Sequence, residues 1–324
     1  MRTEPEMIGK EALRALLKQL PDWNSANQNA EIEIIGSQND TIQFLVSGEN
    51  KLLIEANRRK TKEQLQSEVQ VNSALFEAGC HLALPFLQNR DGRQVMISGN
   101  WRILIRPFIA SAPQFNWLKR TWSSNHAYAA GKALFALHTT SKKIVPKLQT
   151  VVPDNHPVSY ASSKMENLFA NLEANELLSR LCESVNSIKN LLTAKTFAPV
   201  LIHGDFHPGN ILYDGESVKA IIDFDSNYMY LGPAEIDCAY GALMFAIDWE
   251  SPQTPSIDKE LFLSFLQGYS SSGGHKHPDI SYFDLASYLV LLWAMAQEKT
   301  GLSKYDLVTT NAINVLAELK QVLS

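Results

Sequence analysis

The chain has 324 residues, of which 45% are hydrophobic and 19% charged. A chain of that length can bury two cores, and the composition is that of an ordinary globular protein. Its net charge of −5 removes any general attraction to nucleic acid or to an anionic membrane, so neither is expected as a partner.

The opening stretch, MRTEPEMIGKEALRALLKQL, is charged throughout and lacks the apolar core of a signal peptide. Residues 9–19 carry the spacing of an amphipathic helix that stops before Pro21. Over 31–56 the period changes. EIEII, TIQFLV and KLLIEA, separated by the turn segments GSQND and SGEN, predict an antiparallel meander of about three strands. Thr61 to Ala78 predicts a helix, with Thr61 and Gln64 as a capping box, Leu65, Val69 and Phe76 as one apolar stripe, and Gly79 as its stop. Further strands are expected around Gln94–Ile97 and Trp101–Ile105, ending at Arg106-Pro107.

Beyond Pro107 the patterns turn helical: Asn125–Thr139, Ser163–Leu181, Asp258–Tyr269, Tyr282–Gln297 and Asp306–Leu323, with loops at Val145–Pro157 and Ser270–Gly274. The apolar run Leu285–Ala296 is short of the ~20 residues a membrane span needs and reads as a buried helix. Cys80, Cys182 and Cys238 are isolated, which argues against structural disulfides and thiolate zinc and fits a reducing cytoplasm. The layout predicts a small β-rich lobe over residues 1–106 and a larger helical lobe over 107–324, an α+β architecture. Nothing in the sequence bears on oligomeric state.

Within the helical half lies one β-rich island, PVLIHGDFHPGNILYDGESVKAIIDFD, residues 199–225. Ile211–Tyr213 and Val218–Ile222 flank Asp214-Gly215-Glu216-Ser217, a good hairpin turn. Asn210 then precedes the first strand and Asp223 follows the second, so both stand at the open end of the hairpin. Asp205 lies on the loop before them. The pattern Asp-x4-Asn-x12-Asp gathers two carboxylates and an amide oxygen, donors of the kind a hard cation such as magnesium takes.

His203-Gly204-Asp205-Phe206-His207-Pro208-Gly209-Asn210 resembles the catalytic loop of the aminoglycoside and choline kinase family of phosphotransferases, relatives of the protein kinases. Ile222-Asp223-Phe224-Asp225 resembles the family's metal-binding segment. Gly232-Pro233 with Asp237-Cys238-Ala239, and Gly131–His138, are similar to flanking segments, and the likeness spans roughly residues 35 to 245. The resemblance implies a two-lobed protein-kinase-like fold, with ATP or GTP as donor and Mg2+ as cofactor. It implies Asp205 as the base that takes the hydroxyl proton, and Asn210 and Asp223 as magnesium ligands. Asp237 and His203 would brace the loop. His138 and His207 would be structural, and Asp225 a second metal ligand or a loop cap. Glu68 would position the basic phosphate-binding residue, and Ile105–Ile109, with Ile105 and Phe108, would form the hinge against which the nucleotide base stacks.

The sequence departs from the family where the third strand usually ends in Lys or Arg. Glu55 stands there, on one face with Lys51 and Leu53. Three resolutions are open: Arg58 or Arg59 reaches back to serve the phosphates, Glu55 pairs with a nearby base such as Lys51, or the nucleotide site is impaired. The first is preferred for its reach and fork geometry. The expected acceptor is a small-molecule hydroxyl. A Ser/Thr of a protein, as in bacterial stress-response kinases, is the alternative, and a nucleotide-binding pseudokinase is the third reading. Tyr228, Tyr230, Asp248, Trp249 and Glu250 are the candidate acceptor contacts.

Overall fold

A computed structural model describes residues 8–23, 29–38, 40–110, 115–116, 120–152, 198–247 and 257–273, with Tyr282, Phe283 and Ala286. The expected helices Ser163–Leu181 and Asp306–Leu323, most of Tyr282–Gln297, and Asp248, Trp249 and Glu250 lie outside the described residues. Among those described, no helix is long and apolar enough to cross a membrane. The chain divides into two compact units, one with residues up to Glu77 and Ala83–Ala110, the other with Ala78–Leu82 and residues from Ser111 onward.

The first unit is built on an antiparallel sheet of β1 (Glu31–Gln38), β2 (Thr41–Ser47), β3 (Leu52–Asn57), β4 (Met96–Ser98) and β5 (Trp101–Pro107), in the order β1-β2-β3-β5-β4. Strict alternation along β2 buries Ile42, Phe44 and Val46 on one face. Helix α1 (Lys10–Leu17) lays Leu13, Leu16 and Leu17 against them, in a core shared with Ile54, Trp101, Ile103 and Ile105. Each fully buried leucine there contributes roughly 1.5–3 kcal/mol. Helix α2 (Lys62–Glu77) covers a second cluster, Leu65 and Val69 with Val95 and Leu104. The capping box forms as expected: Thr61 N–H donates to Gln64 Oε1 (2.8 Å) and Gln64 N–H to Thr61 Oγ1 (3.2 Å). The stripe does not reach Phe76, which is 37% exposed; the last turn buries Ala74 and Leu75 instead.

The second unit rests on α3 (Ser124–Lys143), the single turn α4 (Val145–Leu148), α5 (Ala234–Ala246) and α6 (Lys259–Ser271). Two small antiparallel pairs accompany them, β6 (Val200–Ile202) with β9 (Tyr230–Gly232) and the hairpin β7 (Ile211–Asp214) with β8 (Ser217–Ile221). Helices α3 and α6 meet backbone to backbone. A Cβ on Gly131 would lie 2.1 Å from Phe265 O, and one on Gly268 2.0 Å from Tyr128 O, so only glycine fits at either place. Helix α5 is buried without a break from Ile236 to Ala246, against Phe206 and Phe265. It is apolar on every side because it has no solvent face.

Candidate active site

The loop after β6 starts at His203 and is held by α5. Asp237, in the first turn of α5, is wholly buried and accepts two loop amides: His203 N–H at Oδ2 (2.8 Å) and Gly204 N–H at Oδ1 (3.1 Å). His138 of α3 stands behind it, with Nε2 3.2 Å from Asp237 Oδ2 and Nδ1 2.8 Å from the Tyr269 hydroxyl of α6. Burial, then the nearby Cys238, Glu235 and Asp237, pushes the Tyr269 phenol far up, so it stays a proton donor. Gly204 has φ +77° and a Cβ there would meet Tyr228 O at 2.3 Å. That turn takes glycine alone.

His203 ties the loop to the hairpin. Its Nδ1 accepts Asp205 N–H (3.3 Å), which leaves Nε2–H to donate to Ile222 O (2.9 Å), the carbonyl before Asp223. Asp205 is half-buried, and Phe206 beside it is fully buried among aromatic rings. Asp205 Oδ1 accepts the Tyr240 hydroxyl (3.2 Å), while Oδ2 lies 3.6 Å from His207 Nε2. Burial pushes the Asp205 carboxyl up, but the attraction of His207 across 3.6 Å, the attraction of His203 and the Tyr240 bond outweigh it. The net effect holds the carboxyl below its ordinary value, so at neutral pH it is a proton acceptor.

Asn210 closes the turn Pro208–Asn210. Its Nδ2 donates to Asp205 O (2.9 Å), so the amide oxygen is the end left to meet a cation. Ile222 N–H donates to Asn210 O (2.9 Å), continuing the Ile211–Ile221 pairing and bringing Asp223 beside Asn210 at the hairpin's open end. Asp223 is exposed and has φ +63°, where the chain leaves the strand. A carboxylate and an amide oxygen fit a hard cation whose other positions are filled by water and phosphate oxygens. Among the described residues no three His, Cys, Asp or Glu side chains gather. Asp225 is a loop cap: its Oδ1 accepts Asn227 N–H (2.8 Å) and Nδ2–H (2.7 Å).

In the first unit, buried Glu68 pairs with Lys60, Oε1 to Nζ 2.9 Å. Glu55 pairs with Arg106, Oε1 to Nη2 2.7 Å, and Arg58 pairs with Asp40 at 3.1 Å and lies 4.5 Å over the Trp101 ring.

The sequence profile of the phosphotransferase enzyme family matches residues 31–275. The chain belongs to that family. No curated protein sequence matches it. Solved structures with the same protein-kinase-like fold include spectinomycin phosphotransferase in complex with ADP and spectinomycin. It is 16% identical with TM-score 0.66, over 96% of this chain and 98% of that one. Choline kinase from Cryptosporidium parvum is 17% identical with TM-score 0.63, over 97% and 96% of the two chains. Macrolide 2'-phosphotransferase from Brachybacterium faecium is 17% identical with TM-score 0.58, over 94% and 97%.

In this phosphotransferase the second unit thus brings together Asp205, Asn210 and Asp223. Glu68 holds Lys60, because the turn after β3 carries Lys60 back toward the start of α2, while Arg58 is drawn to Asp40 and Trp101. Glu55 finds Arg106 and not Lys51, because β3 and β5 pair with Leu53 opposite Arg106, one diagonal step away. Ile105 is a core residue. Its side chain is fully buried among those that pack on α1, and its carbonyl accepts Leu87 N–H. Phe108 is half-buried, its N–H on Lys51 O. Tyr230 packs with Val200 and Ile202 and is likewise a core residue. His207 does more than the structural role expected of it, since it faces the Asp205 carboxylate. The sequence did not single out Tyr240. Tyr240 sits three residues after Asp237 on one helix, a spacing that puts both on one face and could have flagged it.

Proposed function

We propose that this phosphotransferase moves the γ-phosphoryl group of magnesium-bound ATP, or GTP, to a hydroxyl of a small molecule. The observation that carries the reading is Asp205: an ionised carboxylate on a loop fixed at both ends, beside two oxygen donors on the hairpin. Asn210 Oδ1 and the Asp223 carboxylate are the residues that would hold magnesium, which when bound neutralises phosphate charge. The acceptor oxygen attacks the γ-phosphorus, and the bond from that phosphorus to the β–γ bridging oxygen breaks. ADP leaves with the electron pair, and the hydroxyl proton passes to Asp205 and then to solvent. Lys60, oriented by Glu68, is the cation offered to the phosphates in place of Arg58. Glu55 carries its own counter-charge in Arg106, which would relieve like-charge repulsion of the nucleotide.

Small-molecule acceptors are favoured because the structures that share the fold include enzymes for spectinomycin, macrolides and choline. The test is transfer of labelled γ-phosphate from Mg-ATP and Mg-GTP to choline, spectinomycin, streptomycin and a macrolide. A generic protein substrate is run beside them. Asp205→Asn should lower turnover by roughly 10²–10⁴ with Mg-ATP affinity intact. Labelling of protein serine with no small molecule modified would overturn the acceptor class, and a fully active Asp205→Asn variant would overturn the mechanism.

A further inference from the structure

We infer that Tyr240 is a positioning residue for the catalytic carboxylate, fixing which Asp205 oxygen receives the proton. The inference rests on the phosphotransferase reading above. Helix α5 makes two separate contacts with the catalytic loop. Asp237 takes the backbone amides of His203 and Gly204, and Tyr240, on the same face, reaches the Asp205 side chain.

Fixing the backbone alone does not orient the base. The last torsion of an Asp side chain is broad and roughly two-fold, so a firmly held loop still leaves the two oxygens free to turn. Tyr240 removes that freedom. Its ring is buried (6% exposed), and a buried phenol seeks a partner; here its hydroxyl donates to Asp205 Oδ1 at 3.2 Å. Oδ2 has only longer contacts, 3.5 Å from Asn210 Nδ2 and 3.6 Å from His207 Nε2. With Oδ1 engaged by the phenol, Oδ2 is the oxygen presented to the acceptor hydroxyl.

Tyr240→Phe deletes one hydroxyl and keeps the ring that packs α5. The assay is single-turnover Mg-ATP cleavage by the full chain with water as acceptor, so no natural acceptor has to be known. Tyr240→Phe should lower the rate roughly 10- to 100-fold, the scale of losing a hydrogen bond to a charged group, with Mg-ATP affinity and melting temperature unchanged. In an Asp205→Asn background the same substitution should cost nothing further, because there is no base left to orient. Equal losses in both backgrounds would show a purely structural role and overturn the inference. So would a Tyr240→Phe rate within about twofold of the parent. In both cases the parent still cleaves Mg-ATP and the phosphotransferase reading stands. A parent chain that cleaves no Mg-ATP overturns that reading and the inference with it.

Discussion

Replacing Lys60 by Met takes the cation from a carboxylate with almost no water around it. Glu68 is 6% exposed, and its Oε1 stands 2.9 Å from Lys60 Nζ. Breaking a buried ion pair by removing one partner costs about 3–5 kcal/mol, because the other charge is stranded. The Lys60 side chain is 18% exposed, so water screens the pair in part and the expected loss is at the lower end, about 3 kcal/mol. Adding Glu68→Met removes the stranded charge and should restore most of that stability. It should not restore nucleotide binding. A lost charge-assisted contact to phosphate is worth ~1.5–3 kcal/mol, so both variants should bind Mg-ATP about tenfold or more weakly. Urea unfolding measures the first quantity and titration calorimetry the second. Arg58→Ala is the control: with its guanidinium engaged by Asp40 and Trp101, its loss should leave Mg-ATP affinity unchanged. A stable double variant that binds Mg-ATP like the parent would refute the assignment of Lys60. An Arg58→Ala variant that loses binding would give the role back to Arg58.

The metal ligands should separate by charge: Asp223→Ala should abolish magnesium-dependent nucleotide affinity, whereas Asn210→Ala, which removes a neutral amide, should weaken it less; unchanged affinity in both by calorimetry would refute the pair. Gly268→Ala forces a methyl group to within 2.0 Å of Tyr128 O, so α3 and α6 must separate, with an expected loss of 1–3 kcal/mol or more in thermal or urea unfolding (a rough overpacking scale); wild-type stability would refute the crossing.

The grouping of Asp205, Asn210 and Asp223 was legible because its geometry is local. Asp205, Asn210 and Asp223 are joined by one turn and one hairpin, whose strands and turn residues can be read directly, and the Thr61–Gln64 capping box is likewise a short-range signal. The ion pairs were not legible, since each is decided by tertiary register. Arg106 reaches Glu55 only because β5 pairs with β3, and Arg58 turns to Asp40 because β2 begins beside the end of β3. Tyr240 gave a partial signal, a helical spacing from Asp237, but the sequence did not show that the shared face points at the Asp205 side chain. Strand alternation says which residues of β5 share a face, but not that α1 covers the face carrying Ile105.

The glycine crossing of α3 and α6 also limits where this protein can tolerate inserted or deleted residues. Lengthening α6 by one residue ahead of Gly268 would rotate all that follows by about 100°. A residue with a side chain would then be pressed onto Tyr128 O, and Tyr269 would swing away from His138. The relay Tyr269–His138–Asp237 would lose its outer member, and with it part of the brace behind the catalytic loop. Length variation among relatives should therefore fall outside these two helices.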